Sequence, residues 1–522
     1  MNLSPEELFA LSDDEEMFRQ ELHNQLAKDP LFQEIVAKAE KLRDFDRDLF
    51  WEAFRYFKDA GFTAYGVPDE FGGTAISSRA SVMLTDEICQ HDGSIGLSLG
   101  ATASLVANPL DLFGTTRQRE KWLPKIAQGQ ILACYCQSEP EAGSDIASIK
   151  TTAVKRGDHW IINGPKRFIT NGSEAHLALV IARIGPHPYK GLAVFVVDLE
   201  QGKKTGQITI LRNEHKAGLH LSPTTAMSFD NCVADSVLGT IEEDDPKFGT
   251  YSPGAWSIIN ATLAGSRASA IPAQGLGVVR GALREAKIAV SQRKQFGSKI
   301  LGFPAQRTRI LRIEAALKMG ELLTWRAALL RDKLGKQDSR PWQAEASMAK
   351  LWCSELAEWG TSEAMQLAAG IGYTNPKIYK FWLDGRIVKI YEGTSEVQEM
   401  IIAGETLRRA FGGAPTLGAS VLEQETASLL AAAWKHFPFD PKTAKTLPAV
   451  YFPVAQAIAA VSGAVLVAQE FAWRGINDPR YGAENLVPCA ELLAQEQVSK
   501  AKLFLEKMIS DPVLRRAIEG TA

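Results

Sequence analysis

A mainly α-helical protein with one β domain set in its middle is the fold class this sequence predicts, on three observations. Between Phe45 and about Gly129 apolar residues recur every three or four positions, as in RDLFWEAFRYFKDAGF, the spacing of helices with one buried face. Between Ile131 and about Gly239 the texture becomes that of strands, with HWII, KRFIT, LALVIARI and GLAVFVVDL in succession. From about Pro253 to Phe411 helical spacing returns. The order helix, strand, helix, helix has no βαβ alternation, so a doubly wound parallel sheet is not expected. No GxGxxG motif follows a strand; a nucleotide would have to be held by something other than a Rossmann turn.

At 522 residues the chain exceeds what one hydrophobic core supports, and changes of texture divide it into five segments. Residues 1–44 are an acidic, polar extension. Its SPEELFALSDDEEMF lacks the basic start and apolar middle of a secretory signal and is unlike a basic transit peptide, so a cytoplasmic location is expected. Residues 45–130 form an N-terminal helical domain and 131–240 the middle β domain. In the latter, Asn163-Gly164 and Asn171-Gly172 read as hairpin turns, because Asn-Gly between apolar runs suits a tight turn. HLSPTTAMSFDNCVAD reads as a further strand pair.

Residues 241–416 are helical, with Ile313, Ala316, Leu317, Gly320, Leu323, Ala327 and Leu330 on one face. They open on an acidic stretch, IEEDDPKFGTYSPGAW (241–256), and close on Gly412-Gly413-Ala414-Pro415, a C-cap and breaker. Residues 417–522 are a helical extension broken by HFPFDPKTAKTLP and GINDPRYGAENLVP. Its most apolar stretch, Phe452 to Ala468, contains Gln456 and much alanine. That suits a buried or interface helix better than a spanning one, with peripheral membrane contact as the alternative.

Lys and Arg number 58 against 61 Asp and Glu, a formal charge of −3; without a basic face, nucleic acid is not an expected partner. The six cysteines, Cys89, Cys134, Cys136, Cys232, Cys353 and Cys489, show no CxxC pair and no histidines at zinc-finger spacing. Buried reduced thiols are expected, and no metal site. Cys134 and Cys136 should share one face of a strand.

The stretch with the clearest chemical content is IYEGTSEVQ, Ile390 to Gln398. Ser395 followed three residues later by Gln398 fits a capping box, so a helix should begin there. Glu392 then lies just outside a helix N-terminus, where backbone N–H groups and the dipole favour an anion. Gly393 allows backbone geometry that other residues resist. Taken alone, this loop reads as a structural, dipole-paired glutamate; the other reading is a carboxylate presented for proton transfer.

Four distant segments bear on that choice: YCQSEPEAGSDIASIKT (Tyr135 to Thr151), INGPKRFITNG (Ile162 to Gly172), QRKQFGSKI (Gln292 to Ile300) and QLAAGIGY (Gln366 to Tyr373). In this order, and ending in YEGTSEVQ, they strongly resemble the acyl-CoA dehydrogenase family over roughly Phe45 to Phe411. The resemblance implies a helical N-terminal domain, a β-barrel or sandwich middle domain and a four-helix bundle over 241–416. It also implies FAD, held with help from a neighbouring subunit, and removal of two hydrogens from Cα and Cβ of an acyl-CoA thioester to give a trans-2-enoyl-CoA. Electrons would pass to an electron-transferring flavoprotein, placing the protein in fatty acid β-oxidation.

Carried over residue by residue, Glu392 matches the base that takes the α-proton while the β-hydrogen leaves as hydride to flavin N5. The enolate oxygen would be held by the base's own backbone N–H and a ribityl hydroxyl. Tyr135, Gln137, Ser138, Gly143 and Ser144 match contacts to the flavin, with Ser144 also at the CoA end. Phe168, Ile169 and Thr170 match the strand along the flavin, and the family often has tryptophan where Phe168 stands. Arg267 matches an arginine beneath the base, and with Gly393 is assigned to the substrate side; a lone helix arginine would otherwise be read as a surface charge. Arg293, Gln295 and Phe296 match an arm reaching the FAD pyrophosphate of another subunit. Gln306, Gln366, Ala369 and Gly370 match further dinucleotide contacts, and Thr394 and Glu396 contacts beside the base.

Departures are Glu396 where some members have glutamine, Ala369 for a usual glycine, and His220 where arginine is common. Branches that place the base just before the position of Arg267 would need a carboxylate where this chain has Ser266. Small residues Gly96, Gly100 and Ala101, and the extension 417–522, resemble long- and very-long-chain branches, so long acyl chains and a homodimer rather than a tetramer are expected. A flavin oxidase on the same fold, or a member acting mainly in assembly, are the competing readings.

Overall fold

Two near-continuous apolar runs, LALVIAR and LAVFVVD, become the centre of the β domain. In our computed structural model, which describes residues 3–239, 254–411, 420–437, 450–474 and 486–519, they form β4 (Leu177–Arg183) and β5 (Leu192–Asp198), both buried along almost their whole length. Strands buried on both faces lose the polar alternation of a half-exposed sheet, which is why these two read as unbroken runs.

The other strands are β1 (Ala133–Cys136), β2 (Thr152–Arg156), β3 (His159–Thr170), β6 (Ile208–Asn213), β7 (Thr224–Val233) and β8 (Ser236–Val237). They form one path in the order β6-β7-β3-β2-β4-β5-β8, with β1 parallel to β4. A single pair, Thr152 with Arg183, joins its two halves. Side chains alternate across β4 and β5. Leu177, Leu179, Ile181, Val194 and Val196 face a core built with helical residues such as Phe113, Trp122, Leu123 and Ile258. Ala178, Val180, Phe195 and Val197 face Ile162, Ile169, Met227 and Phe229 of β3 and β7.

Three sequence expectations change here. Asn163-Gly164 is no hairpin: β3 runs through it, with a register shift against β7 between Ile162 and Gly164. The Asn163 carboxamide oxygen accepts from the backbone N–H of Asn231 at 2.8 Å. Gly164, at φ +142°, lies so near Thr151 that a Cβ would stand 2.7 Å from its Cα. Asn171-Gly172 ends β3 with Asn171 left-handed, but the chain goes on to β4, which is not β3's neighbour. HLSPTTAMSFDNCVAD is one long strand, β7, and part of its lead-in, rather than a strand pair. All six cysteines are buried, and Cys134 and Cys136 do share a face, with Sγ atoms 3.7 Å apart.

The residues fall into two compact units. One spans Met17–Ser266 with Leu334–Ser339 and holds the sheet; the other combines Met1–Glu16, Arg267–Lys333 and Arg340–Ala522. The second is helical: Ala270–Val290, Pro304–Leu334, Gln343–Ala368, Pro376–Arg386 and Ser395–Phe411 form the bundle. The expected face of Pro304–Leu334 is buried at every position named for it. Small residues let these helices approach; a Cβ on Gly275 would stand 2.7 Å from the carbonyl oxygen of Cys353, and one on Gly320 would stand 2.9 Å from its sulfur.

Extension helices Val421–His436, Tyr451–Arg474 and Leu486–Ser510 belong to this unit. Tyr451–Arg474 is long and apolar enough to cross a membrane, yet 67% of its most apolar window is buried, in line with a buried or interface helix. It is fastened by Gln456 donating to Glu399 at 2.5 Å and by Lys318 against Glu470 at 2.9 Å. Lys318 and Arg280 also hold Glu321, whose carboxyl they bring down to about 2 against the opposing effect of burial. The acidic stretch 241–253, the breaker 412–415, and most of the two interruptions of the extension (438–449 and 475–485) lie outside the described residues.

Candidate active site

The base helix, Ser395–Phe411, begins one residue earlier than the capping-box reading placed it. Its first helical bond runs from the N–H of Gln398 to the carbonyl of Thr394, at 3.1 Å. Ser395 does not cap: its hydroxyl donates to Glu355 Oε1 at 2.7 Å, and Gln398 Nε2 donates to the Gly393 carbonyl at 3.0 Å. A carboxylate is the stronger acceptor, and Glu355 is held in place by Lys389 at 2.8 Å.

Ahead of this helix the backbone takes two successive left-handed residues, Glu392 (φ +52°) and Gly393 (φ +93°). For a glutamate that conformation costs about 1–2 kcal/mol, so the turn needs outside support. Arg267 Nε donates to the Glu392 carbonyl at 2.8 Å and Lys350 Nζ to the Gly393 carbonyl at 2.8 Å. Tyr391 O–H donates to Gln274 Oε1. The φ of Gly393 suits glycine, and a Cβ there would meet Gln398 Nε2 at 2.7 Å, displacing the amide that holds the turn. Glu392 itself is half-buried.

Arg267 is 9% exposed, not a surface charge. Lys350 is fully buried. Desolvation, and next the positive charge of Arg267, bring its ammonium down to about 7, while Glu392, Glu355 and Glu396 work to keep it charged. Glu396 is exposed, and the hydroxyl of Thr394 foremost holds its carboxyl below the ordinary value.

In the β unit, Tyr135 and Gln137 stand at the end of β1, both half-buried, with Gly143 and Ser144 on an exposed loop. Oε1 of Gln137 is buried without a hydrogen-bond partner among the described residues. The Ser138 carbonyl accepts from the Arg167 N–H at 2.9 Å. A register shift between Lys166 and Ile169 puts Phe168 in left-handed geometry, φ +62° and 55% exposed. Ile169 turns into the sheet core and Thr170 is half-buried. A buried amide oxygen without a partner among the described residues and an exposed aromatic side chain, both in this unit, fit a planar ring with polar edges. Ile169 can offer such a ring only its backbone.

Lys166, fully buried, donates to the Gln137 carbonyl at 3.0 Å and to Glu139 Oε1 at 2.8 Å, tying the bulge to β1. His220, at the family's arginine position, is buried with Nε2 3.0 Å from the Lys216 carbonyl oxygen. Gly96 lines no open space, because a Cβ there would collide with the sulfur of Cys89.

The remaining candidates lie on the surface of the bundle unit. Arg293, Gln295 and Phe296 sit on a hairpin pairing Lys294–Gln295 with Ser298–Lys299, and Phe296 is 96% exposed. Gln306 is half-buried, accepting from Arg309 at 2.5 Å, and Gln366, Ala369 and Gly370 are exposed. Ala369 joins two helices at φ +53°, ψ −133°, a region that suits glycine. Strain of about 1–3 kcal/mol at such a residue outweighs the unfolded-chain entropy that glycine restores, about 0.4–1 kcal/mol. Ala369→Gly should therefore stabilise the protein by about 1 kcal/mol in urea unfolding; a loss of stability would show that the alanine is relaxed.

Sequence reading missed Lys350, Gln274, Lys166 and Glu139, and gave Gln398 to a capping box rather than to the Gly393 carbonyl. Lys350 did leave a signal, as a charge on the apolar stripe Ala346, Lys350, Cys353, Ala357.

Family models match the chain along most of its length: "Acyl-CoA dehydrogenase, N-terminal domain" over 12–130, "middle domain" over 134–232 and "C-terminal domain" over 255–407. The mitochondrial short-chain specific acyl-CoA dehydrogenase of Homo sapiens is 34% identical over 352 residues, 67% of this chain and 80% of the relative. The Caffeyl-CoA reductase-Etf complex subunit CarC of Acetobacterium woodii is 31% identical over 400 residues, 76% and 99% of the two chains. An acyl-CoA dehydrogenase from Bacillus anthracis, solved with FAD, has the same fold at TM-score 0.80 and 21% identity, covering 99% of this chain and 92% of its own. That likeness takes in the extension helices.

Proposed function

This chain belongs to the acyl-CoA dehydrogenase family, and from that premise we propose that it oxidises acyl-CoA thioesters to trans-2-enoyl-CoA with Glu392 as the base. The observation that carries the assignment is the turn: two left-handed residues, a carboxylate on the first, and both carbonyls tied down by buried cations.

Bound FAD would supply the acceptor for the β-hydrogen. The residues of the β unit that would hold it are Tyr135, Gln137, Ser138, Ser144, Phe168 and Thr170. Glu392 takes the proton from Cα, and its own N–H is the donor assigned to the developing enolate oxygen. Binding of the acyl chain expels water and strengthens the carboxylate as a base.

An electron-transferring flavoprotein is the proposed acceptor, supported by the relative that works in an Etf complex. A homodimer is proposed as well: Phe296, on the hairpin that bears Arg293 and Gln295, is 96% exposed and open to a second copy, and the extension resembles that of dimeric branches; a tetramer in light scattering would oppose it. For chain length the supports divide. The extension favours long acyl chains, whereas the human relative is short-chain specific and Gly96 makes no room.

Anaerobic titration of the FAD-loaded protein with acyl-CoAs from butyryl to stearoyl tests the reading. Loss of the visible flavin absorbance with one chain-length class supports it and names the class; no loss with any would refute it. Peroxide formed in air without an added acceptor would identify an oxidase instead.

A further inference from the structure

Three donors converge on the turn that carries Glu392, and one of them, Lys350, is a buried amine whose hydrogen bond ends on the backbone. It sits about two turns into Gln343–Ala368 with no exposed surface, on a stripe otherwise made of alanine and cysteine. Burying a cation is costly unless it is paired, yet its hydrogen bond goes to a neutral group, the Gly393 carbonyl, at 2.8 Å. Gln398 shares that oxygen at 3.0 Å, and Arg267 takes the preceding carbonyl at 2.8 Å. The charged groups facing Lys350 are Arg267, Glu392, Glu396 and, from its own helix, Glu355. A residue placed at such cost under a strained turn is better explained by the turn than by the core.

We propose that Lys350 is a positioning residue for the base: its ammonium, donating to the Gly393 carbonyl, holds the Glu392–Gly393 pair in the left-handed form that presents the carboxylate. The inference rests on Glu392 being the base. Its proton state follows from burial. With the folded value brought down to about 7 and the unfolded lysine near 10.4, the unfolded chain binds more protons between these limits. This group therefore lowers stability fully below about pH 7, and the cost fades as pH rises. Activity runs the other way, because the clamp loses its charge above about pH 7.

Lys350→Met and Lys350→Arg are compared with the wild-type holoenzyme for kcat and KM from about pH 6 to about pH 9, for amide exchange at 391–394, and for the unfolding midpoint. In Lys350→Met, kcat should fall about tenfold to a hundredfold with KM within about threefold. Exchange at the turn should quicken, and the midpoint should hold or rise. Lys350→Arg, permanently charged, should keep more of kcat and lose the decline above about pH 7. An unchanged kcat and unchanged turn exchange in Lys350→Met would overturn the proposal. So would kcat and midpoint falling together, with exchange quickened along the whole of Gln343–Ala368. A wild type that turns over no acyl-CoA would sink the reading of Glu392 itself, and the turn's exchange would then decide on the clamp alone.

Discussion

Glu392→Gln is expected to give a folded, FAD-loaded protein whose reduction by acyl-CoA is slowed at least about a thousandfold. General base catalysis contributes about a hundredfold to ten-thousandfold, and here no second carboxylate is assigned to the α-proton. The exchange removes the charge and leaves the shape. The hydrogen bonds from Arg267 Nε and Lys350 Nζ end on backbone carbonyls that the exchange leaves in place, so the backbone should survive and stability should stay within about 1 kcal/mol. Stopped-flow reduction checks the rate, and the flavin-to-protein ratio checks the fold. Reduction within tenfold of wild type would move the base elsewhere.

Lys166→Met should be the most destabilising single change in the β unit. Lys166 and Glu139 are both buried, 2.8 Å apart. Burial favours the neutral form of each: it draws the Lys166 ammonium down and works to raise Glu139. The carboxyl nonetheless stays below its ordinary value, because Lys166 and the N–H groups of Lys150 and Thr151 hold it. Those donors decide for the charged pair. Removing one partner of a buried pair costs about 3–5 kcal/mol. The loss should appear in urea unfolding at neutral pH, with weaker FAD retention, since Lys166 begins the bulge that exposes Phe168. Lys166→Met with Glu139→Gln should recover much of it. A loss under about 1 kcal/mol for Lys166→Met would mean that the carboxylate is satisfied without the lysine.

What the sequence disclosed and what it hid differ in kind. β4, β5 and the buried face of Pro304–Leu334 were legible because burial leaves its mark on consecutive or periodic residues. Asn163-Gly164 misled because a bulge and a hairpin ask for the same flexible pair; here the choice was made by Asn231, sixty-eight residues away. The capping box failed for a similar reason, with Ser395 taken by Glu355 across the bundle. Arg267 illustrates the limit from the other side: taken alone its helix position suggested a surface charge, and only the resemblance put it beneath the base, where it holds a carbonyl 125 residues away. Glu392 could be located from its neighbours in sequence. Lys350, Gln274 and the Lys166–Glu139 pair could not be assigned, since a charge in an apolar stripe acquires meaning only from the partner that folding brings.

Proton removal can be separated from hydride transfer by giving the protein an acyl-CoA analogue with sulfur in place of Cβ and deuterium at Cα. Such a compound can surrender its α-proton but has no β-hydrogen to lose. Followed by NMR in ordinary water, wild-type holoprotein should wash out the deuterium while Glu392→Gln, equally loaded with FAD, should not. Equal wash-out by both proteins, or none by the wild type, would contradict the assignment of Glu392 as the base.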